Sequence, residues 1–183
     1  MDEQISYIIH GFNVRDGGAA TIDTLRTYLG GHVVDLNYGW TGRVGVRLCN
    51  QKLASIIAAT AIPGSVAIGH SNGCAIINAA THEGALFSRV VYINPALDVT
   101  ATPAAHVPRA DVFFTPDDVP TWWAQWIPAS PWGAMGRYGY TGQDTRMHSH
   151  DMSKGPQPVH GHSDVFTDEA LSYWGPQIAA QRP

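Results

Sequence analysis

The sequence predicts a three-layer α/β/α sandwich with a mostly parallel central sheet. Short apolar runs alternate with helical patterns along the chain, which is typical of strands joined by crossover helices. The runs are β-branched or aromatic and lack strict polar alternation, as expected of strands that helices cover on both faces. Ser71 lies where one such run meets a helical segment, and it has a glycine two residues before it and another two residues after it. Parallel sheets place functional groups at this end of a strand.

The first half of the chain predicts three strands and two helices. The strands are expected at Ile5–Ile9, Val33–Leu36 and Val66–Ile68, and the helices around Thr21–Leu29 and Val44–Ala61. Helical periodicity divides the second helix into two faces. The apolar residues expected to face the sheet are Leu48, Leu53, Ile56 and Ile57. The residues expected to face solvent are Arg43, Arg47, Asn50 and Lys52.

The second half predicts later strands at Val90–Ile93 and Val112–Phe114 and a helix at the end of the chain. An apolar stripe indicates that helix. Its members are Phe166, Ala170, Leu171, Trp174 and Ile178. No repeat or change of composition divides the chain, so we expect a single domain over 1–183. Residues 119–142 are rich in Trp, Pro and Gly, which predicts an irregular loop or a short cap.

Composition limits the classes of partner. The chain has 183 residues, 44% hydrophobic and 14% charged, with a formal charge of −4. It has no run of Lys or Arg, so neither nucleic acid nor an anionic membrane is expected as a partner. The acidic start, Met1–Gln4, does not resemble a signal peptide, and no apolar run is long enough to span a bilayer. Cys49 and Cys74 provide no disulfide framework, so a cytoplasmic, reduced setting is expected.

The pentapeptide Gly69-His70-Ser71-Asn72-Gly73 is a G-x-S-x-G motif between a predicted strand and a predicted helix. In a nucleophile elbow the serine occupies a strained strand-to-helix turn, and the residues two before and two after it must be small. The helix then directs its N-terminal dipole and free N–H groups at the serine, where negative charge develops during acyl transfer. The motif therefore predicts nucleophilic serine catalysis.

With Ile9-His10-Gly11-Phe12 after the first strand, the chain resembles the α/β-hydrolase superfamily, as a small esterase-like or lipase-like member with little or no lid. The resemblance implies the minimal fold of that superfamily. It also implies an oxyanion hole formed by the backbone N–H groups of Phe12 and Asn72, with His10 in a structural role. The other members of a catalytic triad would then follow the serine in the order acid, then histidine.

The turn after the strand that ends at Phe114 supplies the candidate acid. Aligning Thr115 with the glycine that the family often has at this point selects Asp118, with Asp117 and Asp98 as alternatives. The candidate base is His162, just before the last helix, where the family places its catalytic histidine. Ser163 and Asp164 follow it and can cap that helix. His160 is the alternative base.

Two other interpretations compete with a serine hydrolase. His148, His150, His160 and His162 form two H-x-H pairs, which could bind the metal of a metal-dependent hydrolase. The hypothesis of a metal-dependent hydrolase leaves the serine motif unexplained. The second alternative is a non-catalytic binding module that keeps the fold, and the complete set of triad candidates argues against it.

The preferred interpretation is an esterase that transfers an acyl group from Ser71 to water, with His162 as base and Asp118 as its partner. It needs no cofactor or metal. Small-molecule or polymeric esters are the expected substrates. Trp122 and Trp123, together with Trp126 and Trp132, either line a substrate groove or hold a proline-rich loop against the core. The sequence gives no oligomeric state.

Overall fold

The molecule is built around a parallel sheet. A computed structural model describes residues 5–10, 24–29, 31–35, 46–119 and 132–180. Within these ranges the strands are β1 (Ile5–Ile9), β2 (His32–Asp35), β3 (Val66–His70), β4 (Arg89–Ile93), β5 (Ala110–Phe114) and β6 (Met147–Asp151). They form one six-stranded sheet in the order β2-β1-β3-β4-β5-β6, and every neighbouring pair is parallel. All their carboxyl ends therefore lie along the same edge.

Helices cover both faces of the sheet. They are α1 (Val46–Thr60), α2 (Asn72–His82), α3 (Met135–Tyr138) and α4 (Asp168–Ala179), with 3₁₀ turns at Met152–Lys154 and Asp164–Phe166. One hydrophobic cluster joins α1 and α2 to one face, and a second joins α4 to the other. The predicted three-layer α/β/α sandwich is confirmed. No helix among the described residues is both long and apolar enough to cross a membrane.

Strand β4 illustrates why the strands lack polar alternation. Val90 and Tyr92 belong to the cluster under α1 and α2, whereas Val91 and Ile93 belong to the cluster under α4. Side chains alternate between the faces of a strand, so a sheet covered on both sides requires apolar residues at consecutive positions. The structure confirms the predicted strands, with small shifts at their ends.

The predicted apolar face of α1 was partly wrong. Leu48 and Ile56 are exposed, and the fully buried positions are Ala54 and Ile57. On a helix Leu48 and Ile56 lie roughly 120° and 160° around from Ala54, so they cannot share its face. The small side chain of Ala54 faces the core. The prediction was based on the large apolar residues of the helix and therefore did not include it. Asn50, expected in solvent, is partly buried.

The start of α4 also differs from the prediction. Thr167 is the N-cap, and its hydroxyl accepts a hydrogen bond from Ala170 N at 3.3 Å. Ser163 precedes a separate 3₁₀ turn and makes no side-chain cap bond. Phe166 lies in that turn rather than on the helical stripe. Thr167 displaces the predicted cap because its side chain reaches the free N–H groups of the longer helix.

Two other predicted segments lie only partly within the described residues. Of the predicted helix 21–29, residues 24–26 are helical. In the predicted irregular segment 119–142, α3 is a short helix, and residues 120–131 lie outside the described part. The edge strand β6, which carries His148 and His150, was not among the predicted strands.

A buried ionic cluster fixes α4 at the amino end of the sheet. Asp111 Oδ2 accepts hydrogen bonds from Arg89 Nε at 2.7 Å and Arg109 Nε at 2.8 Å, and Asp111 Oδ1 lies 2.8 Å from His150 Nε2. The Arg89 guanidinium also donates to the carbonyl groups of Gln177 and Ile178 at the end of α4. Burial alone would raise the pKa of Asp111, but these partners hold it well below its usual range.

We expect Asp111→Ala to lower the free energy of unfolding by about 3–5 kcal/mol, because it leaves the buried Arg89 charge without its partner. Lys154→Ala is the control. It removes an ion pair to Asp151 from a lysine whose side chain is 81% exposed, and such pairs contribute about 0–1 kcal/mol. Urea unfolding of both variants measures the difference. Equal, small effects would show that Asp111 does not hold α4.

The same cluster predicts a pH dependence. The pKa of Asp111 is lower in the folded protein than in the unfolded chain. Its stabilising contribution is therefore complete above the unfolded value of about 3.9 and is lost as the pH falls below it. Urea unfolding of the wild-type protein between neutral and acid pH should show this loss, and Asp111→Ala should reduce it.

Candidate active site

Ser71 has a strained backbone in the turn between β3 and α2. Its φ is 55° and its ψ is −120°, a left-handed conformation that non-glycine residues rarely adopt. Three backbone hydrogen bonds hold it there. Ser71 N donates to Ile93 O at 3.0 Å, and Ser71 O accepts from Cys74 N and Ala96 N, each at 3.2 Å. The turn has the geometry expected of a nucleophile elbow.

The two glycines of the motif allow the chain to pass this closely. A Cβ atom on Gly73 would lie 2.2 Å from Ile9 O of β1, and one on Gly69 would lie 2.7 Å from Cys74 N. Both obstacles are backbone atoms, which cannot rotate away as a side chain can. The structure confirms the requirement for small residues on both sides of Ser71.

His162 and Asp118 form a hydrogen-bonded pair. His162 Nδ1 lies 2.9 Å from Asp118 Oδ1 and 3.0 Å from Asp118 Oδ2. The carboxylate can only accept, so Nδ1–H donates, and in the neutral ring Nε2 is left free to take a proton. The Asp118 side chain is 0% exposed and that of His162 is 17% exposed. The structure thus brings together the acid and the histidine chosen from the sequence.

The alternative acid and base pair with each other. His160 Nδ1 lies 3.0 Å from Asp117 Oδ2, and these side chains are 64% and 59% exposed. Asp98 accepts hydrogen bonds from the backbone N–H and the hydroxyl of Thr100, which lower its pKa. The side chains of Asp98, Asp117 and His160 thus have hydrogen-bond partners other than His162 and Asp118.

The backbone of His162 is fixed beside Ser71. Its carbonyl oxygen lies 3.0 Å from His70 Nε2 and 2.7 Å from Asn94 Nδ2. His70 precedes the serine and Asn94 directly follows β4, so the histidine loop crosses the carboxyl ends of β3 and β4. Ser71 and His162 are both described, and no hydrogen bond joins the serine hydroxyl to the ring. Such contacts often tighten only when a substrate is in place.

Asn72 is held by a network of side chains. Its Oδ1 accepts from Asn50 Nδ2 at 2.9 Å and from Trp132 Nε1 at 2.8 Å, and its Nδ2 donates to Asn50 Oδ1 at 3.0 Å. Asn72 is the first residue of α2, where backbone N–H groups lack helical partners and the helix dipole is positive. A negative charge on an atom bound near Ser71 would be stabilised there.

Sequence reasoning missed two residues that surround the site, Asn50 and Asn94. The sequence around Asn50 does not indicate its role, since this residue is one of the polar positions predicted to face solvent. Asn94 could have been found, because it follows a buried strand at the edge where Ser71 lies. Trp132, one of the four tryptophans predicted to line a groove or to hold a loop, donates its indole N–H to Asn72. The predicted residues Phe12, Trp122 and Trp123 lie outside the described part of the chain.

The four histidines of the metal hypothesis face different partners. His150 lies against Asp111, His160 against Asp117 and His162 against Asp118, while His148 is exposed on β6. Among the described residues, no group of three or more His, Cys, Asp or Glu side chains is arranged to hold a metal ion. The structure does not bring the two H-x-H pairs together.

Comparison with solved structures identifies the fold. Lipase B from Aspergillus fumigatus matches 93% of this chain with a TM-score of 0.59 and 12% identity. The esterase domain of a Rhodothermus marinus protein matches 97% with a TM-score of 0.59 and 15% identity, and spans 84% of that chain. Mouse alpha/beta hydrolase domain-containing protein 10 matches 97%, with a TM-score of 0.59 and 12% identity, over 90% of its own chain.

These similarities show that the chain has the fold of the α/β-hydrolase superfamily, as the sequence motifs predicted. The chain spans about half, 51%, of the length of the Aspergillus lipase. No protein-family model matches the sequence, and no curated protein sequence matches it. The structural similarities show the fold alone, and the chemistry depends on the residues at the site.

Proposed function

We propose that this protein is a serine hydrolase that cleaves esters through an acyl-enzyme intermediate. The observation that carries the proposal is the strained Ser71 backbone beside a hydrogen-bonded pair of His162 and a fully buried Asp118. Backbone strain next to an acid–base pair whose carboxylate is buried is typical of a site built for chemistry. The fold shared with a lipase and an esterase domain supports the same class of reaction.

In the proposed first step, Ser71 Oγ attacks the ester carbonyl while His162 Nε2 removes the hydroxyl proton. Asp118 holds the ring by Nδ1 and stabilises the imidazolium that forms. The backbone N–H groups of Asn72 and Phe12 would bind the oxyanion. His162 then gives the proton to the alcohol, which leaves, and Ser71 carries the acyl group.

Water completes the reaction in the second step. His162 removes a proton from water, the hydroxide attacks the acyl carbonyl, and the ring returns the proton to Ser71 Oγ as the carboxylic acid leaves. Both steps use only groups of this chain, and we propose no metal or cofactor. The indole N–H of Trp132 binds Asn72, the residue that follows the serine, and an aromatic ring near the site supports esters with an apolar acyl or alcohol part as substrates.

We expect Ser71→Ala to abolish both fluorophosphonate labelling and hydrolysis of p-nitrophenyl esters, because the variant lacks the only atom proposed to attack. Its thermal unfolding should match that of the wild-type protein, since the substitution removes one hydroxyl. A chain-length series of esters measured on the wild-type protein would define the acyl preference. EDTA should leave turnover unchanged.

Three results would contradict this proposal. Turnover retained by Ser71→Ala would exclude that serine as the nucleophile. Loss of turnover with EDTA would favour the metal hypothesis. A wild-type protein that folds but is neither labelled nor active on any ester would favour a non-catalytic binding module.

His162→Ala should reduce kcat/KM for p-nitrophenyl acetate by about 10³-fold or more, because the proton of Ser71 loses its acceptor. His160→Ala is a matched control, since it removes a histidine paired with the neighbouring aspartate at a similar distance. Its effect should stay within about 3-fold, as expected of an exposed pair. Comparable losses in both variants would mean that His162 is not the specific base.

Asp118→Asn should reduce turnover by about 10⁴-fold, because the amide favours the wrong tautomer of His162 and removes the counter-ion of the imidazolium. Asp117→Asn keeps the same chemistry at an exposed position and should have little effect. Steady-state kinetics of the two variants tests the choice of Asp118 over Asp117 as the acid. If Asp117→Asn is the damaging change, the acid has been assigned one residue too late.

A further inference from the structure

Two buried side chains donate hydrogen bonds to one backbone oxygen of the histidine loop. His70 Nε2 lies 3.0 Å and Asn94 Nδ2 2.7 Å from His162 O. His70 is 7% exposed and Asn94 is 0% exposed. The two residues come from the ends of neighbouring strands, β3 and β4, so the carbonyl of His162 is fixed to the sheet from two directions.

The His70 ring is suited to a purely structural contact of this kind. Burial, followed by repulsion from His162, lowers the pKa of His70 to about 3. The ring is therefore neutral at ordinary pH and carries one N–H. A carbonyl oxygen can only accept, so that proton lies on Nε2. The ring also contacts the rings of His162 and Phe166, with centroid distances of 4.7 Å and 4.9 Å.

The conformation of Asn94 is energetically unfavourable. Its φ is 42°, in the left-handed region, which Asn tolerates better than most residues. Its Nδ2 can reach His162 O only if the amide oxygen points away, and that buried Oδ1 has no hydrogen-bond partner among the described residues. An unsatisfied buried acceptor destabilises a fold, so a strained Asn with one is better explained by function than by stability.

The pair at Asp118 does not by itself determine where the opposite nitrogen of the ring points. Both carboxylate oxygens lie near one ring atom, His162 Nδ1, and the ring could still pivot about that atom. Fixing the carbonyl of the same residue removes this freedom, because the ring is then held at its backbone and at Nδ1. Nε2 is left with a single direction.

We propose that His70 and Asn94 are positioning residues that clamp the His162 carbonyl and thereby aim His162 Nε2 at Ser71. This inference rests on the proposed function of His162 as the base. The clamp touches neither substrate nor reacting atoms, so it affects proton transfer and not substrate binding. Misplacing a catalytic group by about 1 Å is enough to cost a large part of the rate.

Variants at His70 separate its donor from its ring. His70→Phe keeps an aromatic ring but loses the N–H, whereas His70→Gln keeps an amide N–H donor. Asn94→Gly accepts the positive φ and removes the other donor. His82→Phe is the control, because His82 Nε2 lies 2.9 Å from the carbonyl of Thr102 outside the site. Thermal unfolding identifies any variant that fails to fold.

We expect His70→Phe and Asn94→Gly each to lower kcat by about 3- to 10-fold, the size of one hydrogen bond, with KM unchanged. The double variant should lose more than the product of the two, since each donor partly compensates for the other. His70→Gln should recover most of the rate, and His82→Phe should not change it. Equal losses in His70→Phe and His70→Gln, or changes confined to KM, would overturn the clamp.

A proton NMR measurement tests the proposed clamp of the His162 carbonyl independently of turnover. The Nδ1–H proton of His162, hydrogen-bonded to Asp118, should give a downfield signal in the wild-type protein. In the double variant the signal should broaden or exchange faster, and in His82→Phe it should persist. An unchanged signal in the double variant would overturn the clamp. A wild-type protein that does not react at Ser71 would instead overturn the proposed function, and the NMR result would still stand.

Discussion

The left-handed backbone of Ser71 costs about 1–3 kcal/mol, and it persists because three backbone hydrogen bonds hold it. Its N–H is bound by the end of β4, and its carbonyl is bound by α2 and by Ala96. Gly73 lets α2 approach the end of β1 closely enough to make this turn. The elbow therefore requires the parallel sheet, since only parallel strands bring these ends to one edge. The acid, the histidine loop and Asn94 are all arranged around that edge.

Strand β5 and the turn after it carry two buried aspartates with different electrostatic surroundings. Asp111, at the amino end, is surrounded by Arg89, Arg109 and His150, so its charge is compensated and its pKa is low. Asp118, past the carboxyl end, faces the imidazole of His162. Arginine is always charged, whereas an imidazole can gain or lose a proton near neutral pH. The first arrangement suits stability, and the second suits proton transfer.

Local patterns in the sequence predicted five of the six described strands and the tight turn at Ser71. They succeeded because strand burial and glycine spacing are short-range properties. The candidate acid and base were instead chosen from the resemblance to the α/β-hydrolase superfamily. The face of α1 and the cap of α4 were predicted wrongly, because Ala54 and Thr167 compete with larger or earlier candidates that local rules favour. Asn50 depends on a contact with Asn72 in another helix, which no single segment of sequence specifies, whereas Asn94 could have been found from its position after a buried strand.

The two His–Asp pairs show why distance alone does not identify a site. His160–Asp117 and His162–Asp118 have nearly the same separation, 3.0 Å and 2.9 Å. Both pairs join the same two loops, but Asp118 is enclosed and Asp117 is in solvent. Water and salt screen the outer pair, whereas the low dielectric around the inner pair strengthens its interaction. An imidazolium formed in the inner pair would therefore have a counter-ion that solvent does not replace, and this difference in surroundings is the reason why His162 and not His160 is proposed as the base.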